Sequence, residues 1–132
     1  MITLEDYLMG RDREYPEEYA ASNVHDNAQY LLLLINKLLK ELGIENAEVR
    51  SGWRPREINV REGGSLNSYH IVGKALDISD SLGGIYSVLE EADKDGKLEA
   101  YGLWMEHKDH TPSWVHLDTG NRRKRKSRIF YP

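Results

Sequence analysis

The most regular hydrophobic pattern in the chain lies between residues 26 and 43. In the segment DNAQYLLLLINKLLKELG, apolar residues recur every three or four positions, which is the spacing of one helix face. Asp26 and Gln29 have the spacing of a capping box, and Gly43 is typical of a helix end. The pattern predicts an amphipathic helix whose buried face consists of Ala28, Leu31, Leu32, Ile35, Leu38, Leu39 and Leu42.

Alternating apolar and polar positions predict strands further along the chain. AEVRSGW, residues 47–53, is typical of a short strand. GKALDIS, residues 73–79, predicts a strand with Ala75, Asp77 and Ser79 on one face and with Leu76 and Ile78 on the other. YGLWMEH and SWVHLDT predict two further strands, which the loop KDHTP joins into a hairpin.

The remaining segments complete an α+β pattern. We expect a polar loop at residues 54–68, a short helix and turn at 83–100, and a basic run followed by an apolar stub at 121–132. Helices come first, and strands with one inserted helix follow. This order favours an antiparallel sheet with helices packed on one face. The length of 132 residues fits one domain, residues 1–132.

Composition narrows the possible chemistry. The net charge of −4 does not favour a polyanion-binding protein, and 39% hydrophobic residues are ordinary for a soluble globular chain. The absence of cysteine excludes a disulfide framework, a thiolate metal site and a cysteine nucleophile. Any metal must therefore be held by carboxylates or by histidines, of which there are five: His25, His70, His107, His110 and His116.

No segment has the pattern of a signal peptide or a membrane span. The first residues are acidic, and the most apolar run, YLLLLI at residues 30–35, is far shorter than the roughly 20 residues that a spanning helix needs. We therefore expect a protein that is made in the cytoplasm and does not associate with a membrane. Action outside the cell would require release by lysis or an unusual route.

The stretch LNSYHIVGKALDISD places ionisable residues beside apolar ones. His70 and Asp77 are seven residues apart, and Gly73 between them permits a turn that would let both face the same side. His116 shares a strand face with Asp118. Two histidines and one carboxylate are a common catalytic zinc set, with a fourth position left for water. From spacing alone, a hydrogen-bonded polar cluster without metal is the alternative.

Three motifs in order extend this hypothesis. SYHIVGKALD has the form S-x-H-x-x-G-x-A-x-D, SGWRP precedes it, and WVHLD follows it. Together they resemble the M15 family of zinc peptidases, which includes D-Ala-D-Ala carboxypeptidases and phage L-alanyl-D-glutamate endopeptidases and shares a fold with the hedgehog signalling domain. The resemblance runs from about Thr3 to Phe130 and is closest to short phage and prophage members.

The resemblance implies a role for five residues. His70, Asp77 and His116 match the zinc ligands. Arg54 matches the arginine of the S-G-x-R element, which stabilises an oxyanion or holds a substrate carboxylate; otherwise it forms a surface salt bridge. Ser68 matches a serine that binds substrate backbone, and its alternative role is that of a turn residue.

One departure from the family pattern concerns the general base. Many members carry a carboxylate three residues before the last ligand, where this chain has Ser113. If the two hairpin strands pair, Glu106 lies close to opposite Ser113 and can supply the missing carboxylate. Asp118 is the second candidate, unless it orients a ligand histidine instead. Asp109 and His110 in the loop are further possibilities.

The resemblance implies a zinc-dependent peptidase that cleaves the peptidoglycan stem peptide, as an endopeptidase or a D,D-carboxypeptidase, with a phage endolysin as one possible form. The alternative is a catalytically weak or inactive protein that binds wall peptide or belongs to a virion and keeps the zinc fold. We expect a monomer with a peptide substrate. Nucleic acid is not expected as a partner, because the basic run RRKRK, residues 122–126, lacks interleaved aromatic residues.

Overall fold

The computed structural model describes residues Met1 to Pro132 and confirms the α+β class. Its helices are α1 (Leu4–Leu8), α2 (Arg11–Glu14), α3 (Pro16–Ala20), α4 (Val24–Glu41), α5 (Arg56–Arg61), α6 (Gly84–Lys94) and α7 (Lys97–Ala100). Its strands are β1 (Val49–Ser51), β2 (Ala75–Ser79), β3 (Trp104–Glu106), β4 (Trp114–Asp118) and β5 (Ile129–Phe130). None of the helices combines the length and the apolar character needed to cross a bilayer.

The five strands form one sheet in the order β1-β2-β4-β3-β5. All neighbouring strands are antiparallel except β3 and β5, which run parallel. The predicted hairpin is confirmed as the pair β3 and β4. At the centre of the sheet, the register pairs Asp77 of β2 with His116 of β4 and Leu76 with Leu117.

The two faces of the sheet have different surroundings. Side chains alternate along a strand, so one face carries apolar residues that join the core cluster together with the buried side of α4. From the sheet these residues are Leu76, Ile78, Met105, Val115 and Leu117, all fully buried. Each such burial contributes about 1.5–3 kcal/mol relative to exposure. The apolar face fixes the sheet against α4, and the opposite face presents Asp77 and His116.

The start of the long helix differs from the prediction, whereas its end agrees. α4 begins at Val24 with Asn23 as the N-cap, and no side chain caps it, so the predicted capping box of Asp26 and Gln29 is wrong. Val24 is fully buried, and the earlier start brings it into the core. Gly43 has a φ of +70°, which agrees with the predicted helix end.

Two other segments carry more regular structure than their sequence indicated. Residues 54–68 are not only a polar loop, because α5 forms within them and buries Ile58 and Asn59. The apolar stub near the C-terminus becomes β5, since it pairs with β3 along the sheet edge. The helix expected at residues 83–100 is present as α6, and the chain then forms the short α7.

Candidate metal centre

A row of polar residues crosses the open face of the sheet. Asp77 and His116 are directly opposite each other on β2 and β4, and Ser51 of β1 is opposite Asp77. On β3, Trp104 is paired with Asp118 and the next residue with Leu117, so the same register brings Glu106 level with His116. Directly opposite residues share a face of the sheet. Strand pairing alone therefore aligns Asp77, His116 and Glu106 on one face of the sheet.

His70 reaches this row from the turn that precedes β2. Gly73 has a φ of +78°, and a Cβ added there would lie 2.9 Å from the carbonyl oxygen of Val24. The turn that Gly73 was predicted to permit is therefore confirmed, and only glycine fits it without strain. The backbone N–H of Arg54 donates to the carbonyl of His70 at 3.0 Å, and the N–H of His70 donates to the Ser68 hydroxyl at 3.2 Å. These bonds fix the backbone of His70.

The three predicted ligands converge. Oδ1 of Asp77 lies 2.9 Å from Nδ1 of His116 and 3.2 Å from Nε2 of His70, and the three ligand atoms all lie within 4.8 Å of one another. A tetrahedral zinc ion with ligands at about 2.0–2.1 Å separates those ligand atoms by roughly 3.3 Å. The residues present therefore fit such an ion in both donor type and spacing.

Both histidines are oriented by a hydrogen bond on the side away from Asp77. The Nδ1–H of His70 donates to the Gly52 carbonyl at 2.8 Å, and the Nε2–H of His116 donates to Oδ2 of Asp118 at 2.7 Å. Such outer bonds are typical of histidines that ligate a metal. Asp118 is fully buried behind His116, so its position fits the orienting role rather than that of a general base.

Protonation of the cluster follows from burial and these bonds. Burial raises the pKa of Asp77, but the hydrogen bond from His116 and the contact with His70 outweigh it and hold the pKa well below its usual range. Burial lowers the pKa of His70. Burial also acts to lower the pKa of His116, yet its bonds to Asp118 and Asp77 raise that pKa to about 9. A metal at Nδ1 of His116 would therefore have to displace the proton that this raised pKa keeps on the ring near neutral pH.

Arg54 lies beside Asp77 and is not a surface salt-bridge residue. Its side chain is only 13% exposed, and Nη2 lies 3.2 Å from Oδ2 of Asp77. Its Nε donates to the Ser51 hydroxyl at 2.9 Å and lies 2.8 Å from Oε2 of Glu62. The guanidinium therefore binds the oxygen of Asp77 that does not face the histidines. Ser68, by contrast, acts as a turn residue in this geometry, through its bond to the N–H of His70.

Glu106 is close to the cluster, but not where the sequence placed it. The expectation that it lies opposite Ser113 is wrong, because β4 begins only at Trp114 and the register brings Glu106 level with His116. The hydroxyl of Ser113 instead accepts a hydrogen bond from Arg50 at 3.1 Å. Burial raises the pKa of Glu106, and this outweighs the opposing charge of His116. Its carboxylate is half-buried and has no hydrogen-bond partner within the chain.

The loop between β3 and β4 holds the remaining candidates away from the three ligands. Asp109 is exposed and contacts His107, with 3.5 Å between its Oδ2 and Nδ1 of that ring. His110 is also exposed and meets Tyr131 edge to face, with 5.8 Å between ring centroids. The charge of His110 acts to lower the pKa of Glu106, so the loop lies near that carboxylate. Neither residue belongs to the convergent group.

Two residues of the centre were missed by sequence reasoning. The Gly52 carbonyl orients His70, and only the conformity of SGWRP to the family pattern pointed to this segment. Arg122 forms a bidentate pair with Asp118, with 2.9 Å between Nη2 and Oδ2, and its guanidinium lies over the Phe130 ring at 3.7 Å. Its place in a basic run gave no signal of this specific contact.

Replacing Gly52 is expected to destabilise the protein and disturb His70. A Cβ at residue 52 would lie 1.9 Å from the carbonyl oxygen of Tyr7. We expect Gly52→Ala to lower the free energy of unfolding by about 1–3 kcal/mol, the usual cost of overpacking. Urea unfolding measures the change. Gly84→Ala is the matched control, because a Cβ there meets no atom within 4 Å. Equal stability of the two variants would contradict the assignment of this contact.

A comparison with protein families agrees with the geometry. A family model described as Peptidase M15 matches residues 12–118. The matched range contains His70, Asp77, His116 and Glu106, but it ends before Arg122. No curated protein matches the chain.

Proposed function

The chain belongs to the M15 peptidase family, and on this premise we propose that it is a zinc-dependent peptidase that cleaves the stem peptide of peptidoglycan. The observation that carries the proposal is the convergence of one ligand atom each from His70, Asp77 and His116 within 4.8 Å. Two neutral imidazole nitrogens and one carboxylate are a donor set of catalytic zinc sites. Zinc bound there supplies a Lewis acid for a peptide carbonyl and lowers the pKa of a water molecule towards 7.

Glu106 is the proposed general base. Its carboxylate is half-buried on the same face as His116, it has no partner within the chain, and burial raises its pKa. A raised pKa makes a carboxylate a better proton acceptor at neutral pH. Glu106 takes a proton from the attacking water and returns it to the leaving amine. The carboxylate that many family members carry at the position of Ser113 thus comes from the neighbouring strand.

Arg54 and Ser68 are proposed to bind and position groups around the ligands. Arg54 holds Asp77 through a contact of 3.2 Å and brings a positive charge to the edge of the cluster. There it stabilises an oxyanion or binds a carboxylate of the peptide. Ser68 positions His70 through its hydroxyl and offers the same oxygen to the backbone of the substrate.

The biological setting is part of the same proposal. A single small domain without a membrane-spanning helix is compatible with a phage or prophage enzyme that acts as a monomer on the wall after lysis. Ser113 at the usual base position favours a second candidate, a protein of this fold that binds wall peptide, or takes part in a virion, without turnover. The two candidates differ in whether Glu106 replaces the missing base.

Hydrolysis of purified peptidoglycan tests the proposal. We expect release of peptide fragments, loss of the activity on chelation, and recovery on addition of zinc. Mass spectrometry of the products separates cleavage within the stem from removal of a terminal D-alanine. Activity that persists after complete metal removal would contradict the zinc mechanism. Zinc and peptide binding without any turnover would favour the binding protein.

A further inference from the structure

The basic segment, residues 122–126, borders a cleft on the site face of the sheet. The cleft has a volume of about 420 Å³ and is lined by Trp104, Arg122, Arg123, Lys124, Arg125, Phe130 and Tyr131. All five residues of the basic segment are Arg or Lys, although the whole chain carries a net charge of −4. Five of the 18 Lys and Arg residues are therefore adjacent in sequence beside a cleft that has the size of a ligand pocket.

This cleft adjoins the candidate metal centre. Asp118 contacts His116 on one side, at 2.7 Å, and Arg122 on the other, at 2.9 Å. Trp104, which lines the cleft, is the β3 partner of Asp118. Asp118 lies two residues beyond His116, which is roughly 7 Å along the strand. A peptide bound across His116 would thus bring a neighbouring residue of the substrate to the cleft.

The cleft carries positive charge that the chain leaves uncompensated. Arg122 is paired with Asp118, and Arg125 donates to the carbonyl of Ile129. Arg123 and Lys124 are exposed and form no ion pair with any acidic side chain. Two cations beside a pocket of this size attract an anionic group, and a guanidinium can bind a carboxylate through two parallel hydrogen bonds.

The aromatic residues around the cleft argue against nucleic acid as the ligand. Proteins that hold single strands stack successive bases on free aromatic faces. Here Arg122 lies over Phe130 at 3.7 Å, Arg128 lies over Trp104 at 4.3 Å, and His107 stacks on Tyr131 at 4.4 Å. One face of each of these rings is therefore already covered by a side chain of the protein.

We propose that this cleft is a subsite for a free carboxylate of the peptide substrate, bound by Arg123 and Lys124. The inference rests on the proposed peptidase function and adds a specificity to it. A wall stem peptide that contains glutamate carries such a carboxylate beside its backbone. The subsite favours peptides with the free acid over peptides in which the same group is a neutral carboxamide.

Two synthetic peptides that differ only in this group, free acid against carboxamide, test the subsite. We expect the zinc-loaded protein to prefer the acid by roughly tenfold in kcat/KM, equivalent to about 1.4 kcal/mol. In Arg123→Gln/Lys124→Gln the preference falls towards one, through a rise in KM for the acid. The matched control is Lys37→Gln/Lys40→Gln, which removes two exposed charges from α4, where both residues line a different cleft.

Three results would overturn the subsite. The first is an acid preference that survives in Arg123→Gln/Lys124→Gln, and the second is an equal loss in both double variants. The third is that Arg123→Gln/Lys124→Gln binds a single-stranded oligonucleotide more weakly than the parent protein does but keeps the preference for the acid peptide. The segment would then be a polyanion-binding surface. If the parent protein cleaves neither peptide, the proposed function fails. The subsite is then tested by calorimetry, which compares the affinities for the acid and the carboxamide in the parent protein and in both double variants.

Discussion

Glu106→Gln is expected to lower kcat by roughly 10²–10⁴-fold, the usual contribution of a positioned general base. The amide has nearly the same size as the carboxylate but cannot accept the proton of the attacking water. Glu106 is not one of the three convergent ligands, so zinc content is expected to stay at the parental level. Steady-state hydrolysis of a stem peptide, together with metal analysis of the same samples, measures both quantities.

Glu99→Gln is the matched control for Glu106→Gln. Glu99 is exposed on α7 and forms no ion pair, so its replacement is expected to leave kcat unchanged. If Glu106→Gln keeps most of the parental kcat, the base lies elsewhere. Asp109→Asn is then the next variant, because the loop that carries Asp109 lies near the same carboxylate.

His70→Ala is expected to abolish both zinc binding and activity. Its Nε2 is one of the three convergent atoms, and loss of even an outer partner of a metal ligand costs roughly 10–100-fold in metal affinity. Removal of a ligand should therefore cost more than 100-fold. His70 is a better choice than His116 or Asp77, because burial lowers the pKa of His70, whereas His116 and Asp77 form a charged, buried pair whose disruption is destabilising in itself.

Two measurements quantify the loss of zinc binding in His70→Ala. Competition with a zinc-binding dye gives the affinity, and thermal unfolding with and without zinc gives the stabilisation. A ligand at 1,000 times its Kd stabilises the folded state by about 4.1 kcal/mol, and the variant should lose this gain. His25→Ala is the control, since His25 contacts Tyr19 at 2.9 Å and is not among the convergent ligands. Equal zinc affinity in the two variants would contradict the assignment of His70.

The local pattern could predict which face of the sheet each candidate ligand occupies, because that face depends on short-range structure, whereas the role of these residues as zinc ligands came from the resemblance to the M15 family. Alternation in GKALDIS places Asp77 opposite to Leu76 and Ile78, and burial of those two residues fixes which face Asp77 occupies. Gly73, with its positive φ, supplies the turn that returns His70 to that face. Leu117 fixes His116 in the same way, because it faces the core one residue further along β4.

The position of the proposed base, Glu106, could not be predicted in the same way. Glu106 was expected close to opposite Ser113, a pairing that requires a register about three residues away from the observed one. The register depends on where the strands end and how the intervening loop folds, and a shift changes every cross-strand neighbour. β4 begins at Trp114, and Glu106 becomes level with His116 instead.

Other parts of the centre depend on contacts between distant segments. α5 was missed because it makes contacts with distant parts of the chain; at its start, for example, the backbone N–H of Arg56 donates to Oε2 of Glu18 at 2.9 Å. Arg122 has four charged neighbours in sequence that look alike, yet it alone of the five pairs with Asp118. Composition indicates a basic segment, whereas only the folded chain distinguishes its members.

Zinc content after equilibration is the most direct test of the central claim. The purified protein is incubated with excess zinc, freed of unbound metal, and analysed for metal and protein in the same sample. A site formed by His70, Asp77 and His116 predicts one zinc ion per chain in the parent protein and none in His70→Ala. A parent protein that retains no zinc, or a His70→Ala variant that retains as much as the parent, would contradict the metal centre.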